Sequence, residues 1–95
     1  MVINVNSFLD ICKECTLTAS DSNLARKVEI TRAAIAAYRK GSRFPSDENM
    51  VKLANRAKLD TGECLLLLNV WRSGELPRKT YLDLMQKEYP KSSFL

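Results

Sequence analysis

Apolar residues recur along this chain at helical spacing, in segments separated by turn-forming and capping residues. The first segment, from Ser7 to about Cys15, places Phe8, Leu9, Ile11, Cys12 and Cys15 at its apolar positions, with Asn6 as the predicted N-cap. After a polar connection from Thr16 to Ser20, Asp21 or Ser22 caps a second helix, whose Leu24, Ala25 and Val28 share one face. Glu29, Ile30 and Thr31 then make a tight turn. Ile30 is its apolar plug, and Thr31 caps a third helix from Arg32 to about Lys40, with Ile35 and Tyr38 turned inward. Gly41 ends that helix, because a residue without Cβ tolerates the left-handed conformation common just past a helix C-terminus.

Pro45 forces a restart, and Ser46 caps a fourth helix with Asp47 and Glu48 in its first turn, where the macrodipole favours anions. Met50, Leu53, Ala54 and Ala57 form its inward stripe, and Lys58 and Leu59 close it. Asp60 and Glu63 have the form of a capping box opening a fifth helix that runs to about Arg72. Its run Leu65 to Leu68, followed by Val70 and Trp71, is apolar around more of the circumference than a surface helix of a small monomer needs. Ser73 and Gly74 break it. Pro77 suits the first turn of a sixth helix carrying Tyr81, Leu82, Leu84, Met85 and Tyr89, which Pro90 ends. The tail KSSFL is expected to be loose. The pattern therefore predicts an all-α protein of five helices over residues 6–72 and a C-terminal helical extension over residues 73–95.

Charge sharpens this picture. The 15 Lys and Arg outnumber the 11 Asp and Glu, and the excess is uneven. Residues 24–43 hold Arg26, Lys27, Arg32, Arg39, Lys40 and Arg43 against Glu29, a net of +5, more than the +4 of the whole chain. The outward positions of the third helix, Arg32, Ala33, Ala36, Ala37 and Lys40, combine small side chains with flanking cations. Such a helix can sink into a major groove while its ends meet phosphates. The two short helices and their turn have the spacing of a helix-turn-helix, and double-stranded DNA is the partner this pattern implies.

Other chemistry is sparse. The chain has no histidine, no glycine-rich phosphate loop and no paired nucleophile and base, so the reading is non-enzymatic, without cofactor or metal. Cys12 and Cys15 form a CxxC, yet a four-ligand zinc site built on them and Cys64 would need a carboxylate or a partner subunit. A redox CxxC usually sits where a strand meets a helix, and this one lies inside a helical pattern. Packing is the reading adopted, with a thiol switch as the other. No apolar run approaches the roughly 18 residues of a spanning helix, and MVINVNSF lacks the charged and apolar regions of a signal peptide. No membrane partner and a cytoplasmic setting are expected.

The run LARKVEITRAAIAAYRKGSRFPSDENMVKLANRAKLD resembles the lambda-repressor-like, Cro/C1-type helix-turn-helix family. In that family LA, a turn, a Ser or Thr cap, an Ile four residues on, an aromatic, a Gly and a Pro recur at these spacings. NSFLDICKE, YRKGSRFPSDE and LDTGE are similar to small phage-related proteins with this domain, including repressors of filamentous prophages. The resemblance implies base-reading positions at Thr31, Arg32, Ala33 and Ala37, and places Lys40, Ser42 and Arg43 near phosphate. Asp21 stands where a phosphate-contacting Gln is frequent, so Ser22 or Asn23 is expected to supply that contact instead, and Arg26 is a further phosphate-binding candidate. Two further departures stand out. Glu29 replaces a common turn Gly, so the backbone there either avoids positive φ or carries modest strain, and Arg39 replaces a frequent Glu.

Domains of this kind typically read pseudo-palindromes as dimers, since one recognition helix covers only a few base pairs. Leu66, Val70, Trp71, Leu82 and Met85 are the expected anchors of a homodimer interface; the alternative is a sixth helix that folds back over its own domain. The function implied is a transcriptional regulator, foremost a prophage repressor that binds a palindromic operator and maintains lysogeny, with an antagonist protein as a further partner. The second reading is an antitoxin that autoregulates its own operator and holds a toxin protein.

Overall fold

The computed structural model describes residues 2–95, which fold into six helices. These are α1 (Val5–Thr16), α2 (Asp21–Val28), α3 (Arg32–Lys40), α4 (Asp47–Ala57), α5 (Thr61–Arg72) and α6 (Glu75–Glu88). There is no strand among the described residues. The body measures 34 × 26 × 21 Å. α1 touches α2, α3 and α4; α5 bridges α4 to α6.

Side chains cap the N-termini of the first five helices. Asn4, Ser20, Thr31, Ser46 and Asp60 each accept a hydrogen bond from the backbone N–H three residues on. Two of these caps correct the sequence reading. Asn4 opens α1 where Asn6 was expected, so the helix begins at Val5; Asn6 lies inside the first turn with its side chain directed to Arg39. Ser20 caps α2, leaving Asp21 and Ser22 as its first helical residues. At α5 the Asp60 half of the expected capping box is present, with Glu63 N–H donating to Asp60 Oδ1 at 2.9 Å.

The C-termini of α1 to α4 end alike. Each has a left-handed residue, at Leu17, Glu29, Gly41 and Lys58, with the paired backbone bonds of a Schellman motif. After α2, for example, Glu29 N–H donates to Arg26 O and Ile30 N–H to Ala25 O. Glu29 has φ 59°, so the turn takes the strained option, at a cost of about 1 kcal/mol. The reward is geometric. The chain passes from α2 to α3 within three residues, Ile30 is delivered into the core, and Thr31 is placed to cap α3.

The core gathers the predicted inward faces, among them Phe8, Leu9, Leu24, Val28, Ile35, Tyr38, Met50, Leu53, Leu67 and Leu68. α6 runs back along α5: the Tyr89 hydroxyl sits 2.5 Å from where a Cβ on Gly62 would lie, so a side chain there would displace the end of α6. Met85 is fully buried. The tail is not loose, contrary to the sequence expectation. Phe94 is 1% exposed, packs edge to face on Phe8 at 5.7 Å, and its carbonyl accepts from Ile3 N–H at 2.9 Å. Ile3 in turn gives its carbonyl to Trp71 Nε1 at 2.9 Å. The segment before α1 is thereby held between the tail and α5. Truncating Phe94 to Ala is expected to cost about 3 kcal/mol, the usual range for emptying a buried aromatic site, and to lower the melting temperature by well over 5 °C. A melt by circular dichroism unchanged from wild type would show that the tail is not part of the core.

Candidate nucleic-acid interface

α3 is short because its ends are fixed. Thr31 Oγ1 accepts from Ala34 N–H at 3.1 Å, and Gly41 at φ 75° closes the other end. Between them Ala34, Ile35 and Tyr38 are buried against the body. The opposite face is left to solvent: Thr31, Arg32, Ala33, Ala36 and Lys40 are exposed, while Ala37 is half-buried. Four of the five outward positions named from the sequence therefore lie open, and Ala37 stands at the margin. A methyl-sized surface between Arg32 and Lys40 leaves the helix backbone free to approach a flat or grooved partner closely.

Six of the ten expected contact residues, Ser22, Asn23, Arg26, Arg32, Ala33 and Arg43, line three separate hollows, and Thr31, Ala37, Lys40 and Ser42 line none of them. Arg32, Ala33 and Ala36 share a groove with Asp21 and Ser22, so α2 and α3 meet the surface together there. Asn23 and Arg26 line a separate hollow with Leu17, Thr18, Ala19, Lys27, Glu29 and Arg56. Arg43 lies over the Tyr38 ring at 5.7 Å, in a third hollow with Phe44, Pro45, Ser46, Asn49 and Arg72. Ser42 turns its hydroxyl back onto Ala37 O at 3.2 Å, closing the end of α3. Two cations beside these hollows were not singled out from sequence. Arg56 and Arg72 come from α4 and α5, and only the fold brings them beside Arg26 and Arg43. Arg72 also pairs with Asp47 at 2.8 Å.

One cation of the basic segment is turned inward. Arg39 donates from Nε to Asp21 Oδ2 at 3.0 Å and from Nη2 to Asp21 Oδ1 at 2.9 Å. Nη2 also lies 2.9 Å from Asp10 Oδ1, and Nη1 donates to Asn6 O at 3.1 Å. The guanidinium thus joins the last turn of α3 to the first two turns of α1 and the first turn of α2. This corrects the charge reading: of the six cations in residues 24–43, Arg39 is half-buried and paired with Asp10 and Asp21.

The expected interface anchors separate as well. Val70 and Met85 are buried in the single chain's own core, so neither offers surface to a second copy, which corrects that part of the sequence reading. Trp71 is half-buried, edge to face with Phe8 at 5.6 Å and stacked with Phe44 at 6.4 Å. Leu66 and Leu82 are half-buried. The open apolar positions of α6 are Leu76 and Leu84, at 79% and 39% exposed.

Cys12 and Cys64 are buried, and burial pushes both thiols up to about 12; Cys15 is exposed, and all three are unpaired. The two halves of the CxxC thus sit in different surroundings, one in the core and one at the surface. No cluster of three metal-ligating side chains occurs among the described residues, and no helix there is long and apolar enough to cross a membrane.

Hydrogen bonds from Arg39 hold the Asp21 carboxyl below the usual carboxylate range, against a smaller opposing effect of burial; the charges of Arg39 and Lys13 add to the lowering. A carboxyl lowered in the folded state contributes stability above its unfolded pKa, and that contribution disappears as pH falls through the folded value. Asp21→Asn is therefore expected to be less stable than wild type near pH 6, with the difference shrinking as pH falls through the acid range in which the folded carboxyl takes up its proton. Urea unfolding at a series of pH values checks this, and a constant difference across the series contradicts it.

Comparison with protein-family models, with curated proteins and with solved structures finds no match to this chain.

Proposed function

We propose that this protein is a sequence-specific, double-stranded DNA-binding transcription regulator built on a lambda-repressor-like helix-turn-helix, with α3 as the reading helix. The observation that carries the reading is the open face of α3: small residues flanked by Arg32 and Lys40, presented by a short helix capped at both ends and continued by the basic loop Ser42 to Phe44. Arg32 is suited to donate twice to guanine O6 and N7, and Ala33 and the half-buried Ala37 are the positions for thymine methyls. Ser22, Asn23, Arg26, Lys40 and Arg43 supply contacts to the DNA backbone, Ser42 having both its donors on Ala37 O, and Lys27 and Arg56 extend the basic surface. Thr31 spends its oxygen on the helix cap and keeps its hydroxyl proton to donate. The sequence resemblance supports a narrower form of the proposal, a repressor of prophage genes acting at a palindromic operator. In it, a second copy docks through the apolar positions left open on α6.

Selection of bound fragments from a random duplex pool, followed by footprinting, tests the reading directly. Arg32→Ala is expected to lose about 1–3 kcal/mol on the selected duplex and little on random sequence, whereas Arg43→Ala weakens both alike. Equal losses on both duplexes for both variants would count against the assignment of α3. The pairing of copies is read separately by sedimentation. The wild type is expected to run as a dimer, and Leu76→Asp with Leu84→Asp, which spares the core, as a folded monomer; a variant that stays dimeric removes α6 from the interface.

A further inference from the structure

We propose that Arg39 is a positioning residue for Arg32: by occupying both carboxylate oxygens of Asp21, it keeps Arg32 free to meet DNA. The proposal rests on the DNA-binding reading for its consequence, while the contact it describes stands on the geometry alone.

Asp21 and Arg32 line the same groove between α2 and α3, together with Ser22, Ala33 and Ala36. Both oxygens of Asp21 are engaged by Arg39, with Nε on Oδ2 and Nη2 on Oδ1. Lys13 Nζ stands further off, at 3.7 Å from Oδ1. Arg32 is exposed and forms no ion pair among the described residues. A carboxylate beside two guanidiniums pairs with the one that fits its fork, and a fork–fork pair is stronger and more directional than a single contact to an ammonium. Arg39 has the better seat, because Asp10 and Asn6 hold the same guanidinium from behind. Remove it, and Asp21 is left with Lys13 on one side and Arg32 across the groove. Pairing with Arg32 would withdraw a reading guanidinium and leave a carboxylate where nucleic-acid charge arrives. The basic segment thus spends one arginine to keep another available.

The test uses the full chain carrying Arg39→Met, which keeps an apolar stem of similar length, alone and combined with Asp21→Asn. The probes are a duplex selected on the wild type and a scrambled duplex of equal length. Arg39→Met is expected to bind the selected duplex about tenfold more weakly, equivalent to about 1.4 kcal/mol. Adding Asp21→Asn is expected to bring affinity back to within about threefold of wild type, although the clamp is still missing and the melting temperature stays reduced. A double variant as weak as Arg39→Met overturns the proposal, as does an Arg39→Met protein that binds like wild type. A second arm needs no DNA. In the Arg39→Met background, further substitution Arg32→Ala should raise the pKa of Asp21, followed by carboxyl NMR; a titration indifferent to Arg32 overturns the proposal. Failure of the selection to return any duplex would sink the DNA-binding reading, and the titration would still decide whether Asp21 turns to Arg32.

Discussion

Short helices are held by their ends, and in this protein everything else depends on that. α2 and α3 have 8 and 9 residues, too few for an isolated helix to persist in water. Each is secured by a hydroxyl at its N-cap and a left-handed residue at its C-terminus, and packing of the inward face does the rest. The shared turn between them leaves little freedom. Because Glu29 is forced left-handed and Thr31 must cap α3, the direction of α3 follows from the direction of α2 within three residues. The open face of α3 is therefore set by backbone hydrogen bonding before any long-range contact is counted.

Much of this was legible in the sequence. Thr31, Gly41, Ser46 and Asp60 announce their roles because capping is local: the residue that does the work lies within three positions of the group it satisfies. The inward stripes of α2, α3 and α4 were equally plain, since periodicity records them directly. The errors came where two neighbours could serve the same purpose. Asn4 and Asn6 both suit an N-cap, as do Ser20, Asp21 and Ser22, and only the packing of the first turn chooses between them.

Long-range partners were less legible still. Nothing near Arg39 reveals that Asp10, Asp21 and Asn6 converge on it, so its charge was counted with the outward cations. Val70 was assigned to an interface because a leucine-rich helix has more apolar surface than one neighbour covers, and Met85 because the C-terminal extension was read as part of the same interface; α5 and α6 instead pack against each other. Phe94 carried no signal at all. It follows two serines in a segment without periodicity, and its burial depends on Phe8 and Ile3 at the other end of the chain.

That last contact has a consequence for the order of assembly. The contacts of α2 with α3 and of α4 with α5 join neighbours close in sequence, and such contacts form early because little chain entropy is lost in making them. The junction of Ile3, Phe8, Trp71 and Phe94 closes a loop that spans nearly the whole chain, and its reward comes only after that loop is closed. The half of the molecule that carries α3 can thus take shape while the aromatic seam is still open. The seam acts as a latch, and slowing its release lengthens the lifetime of a fold it did not begin.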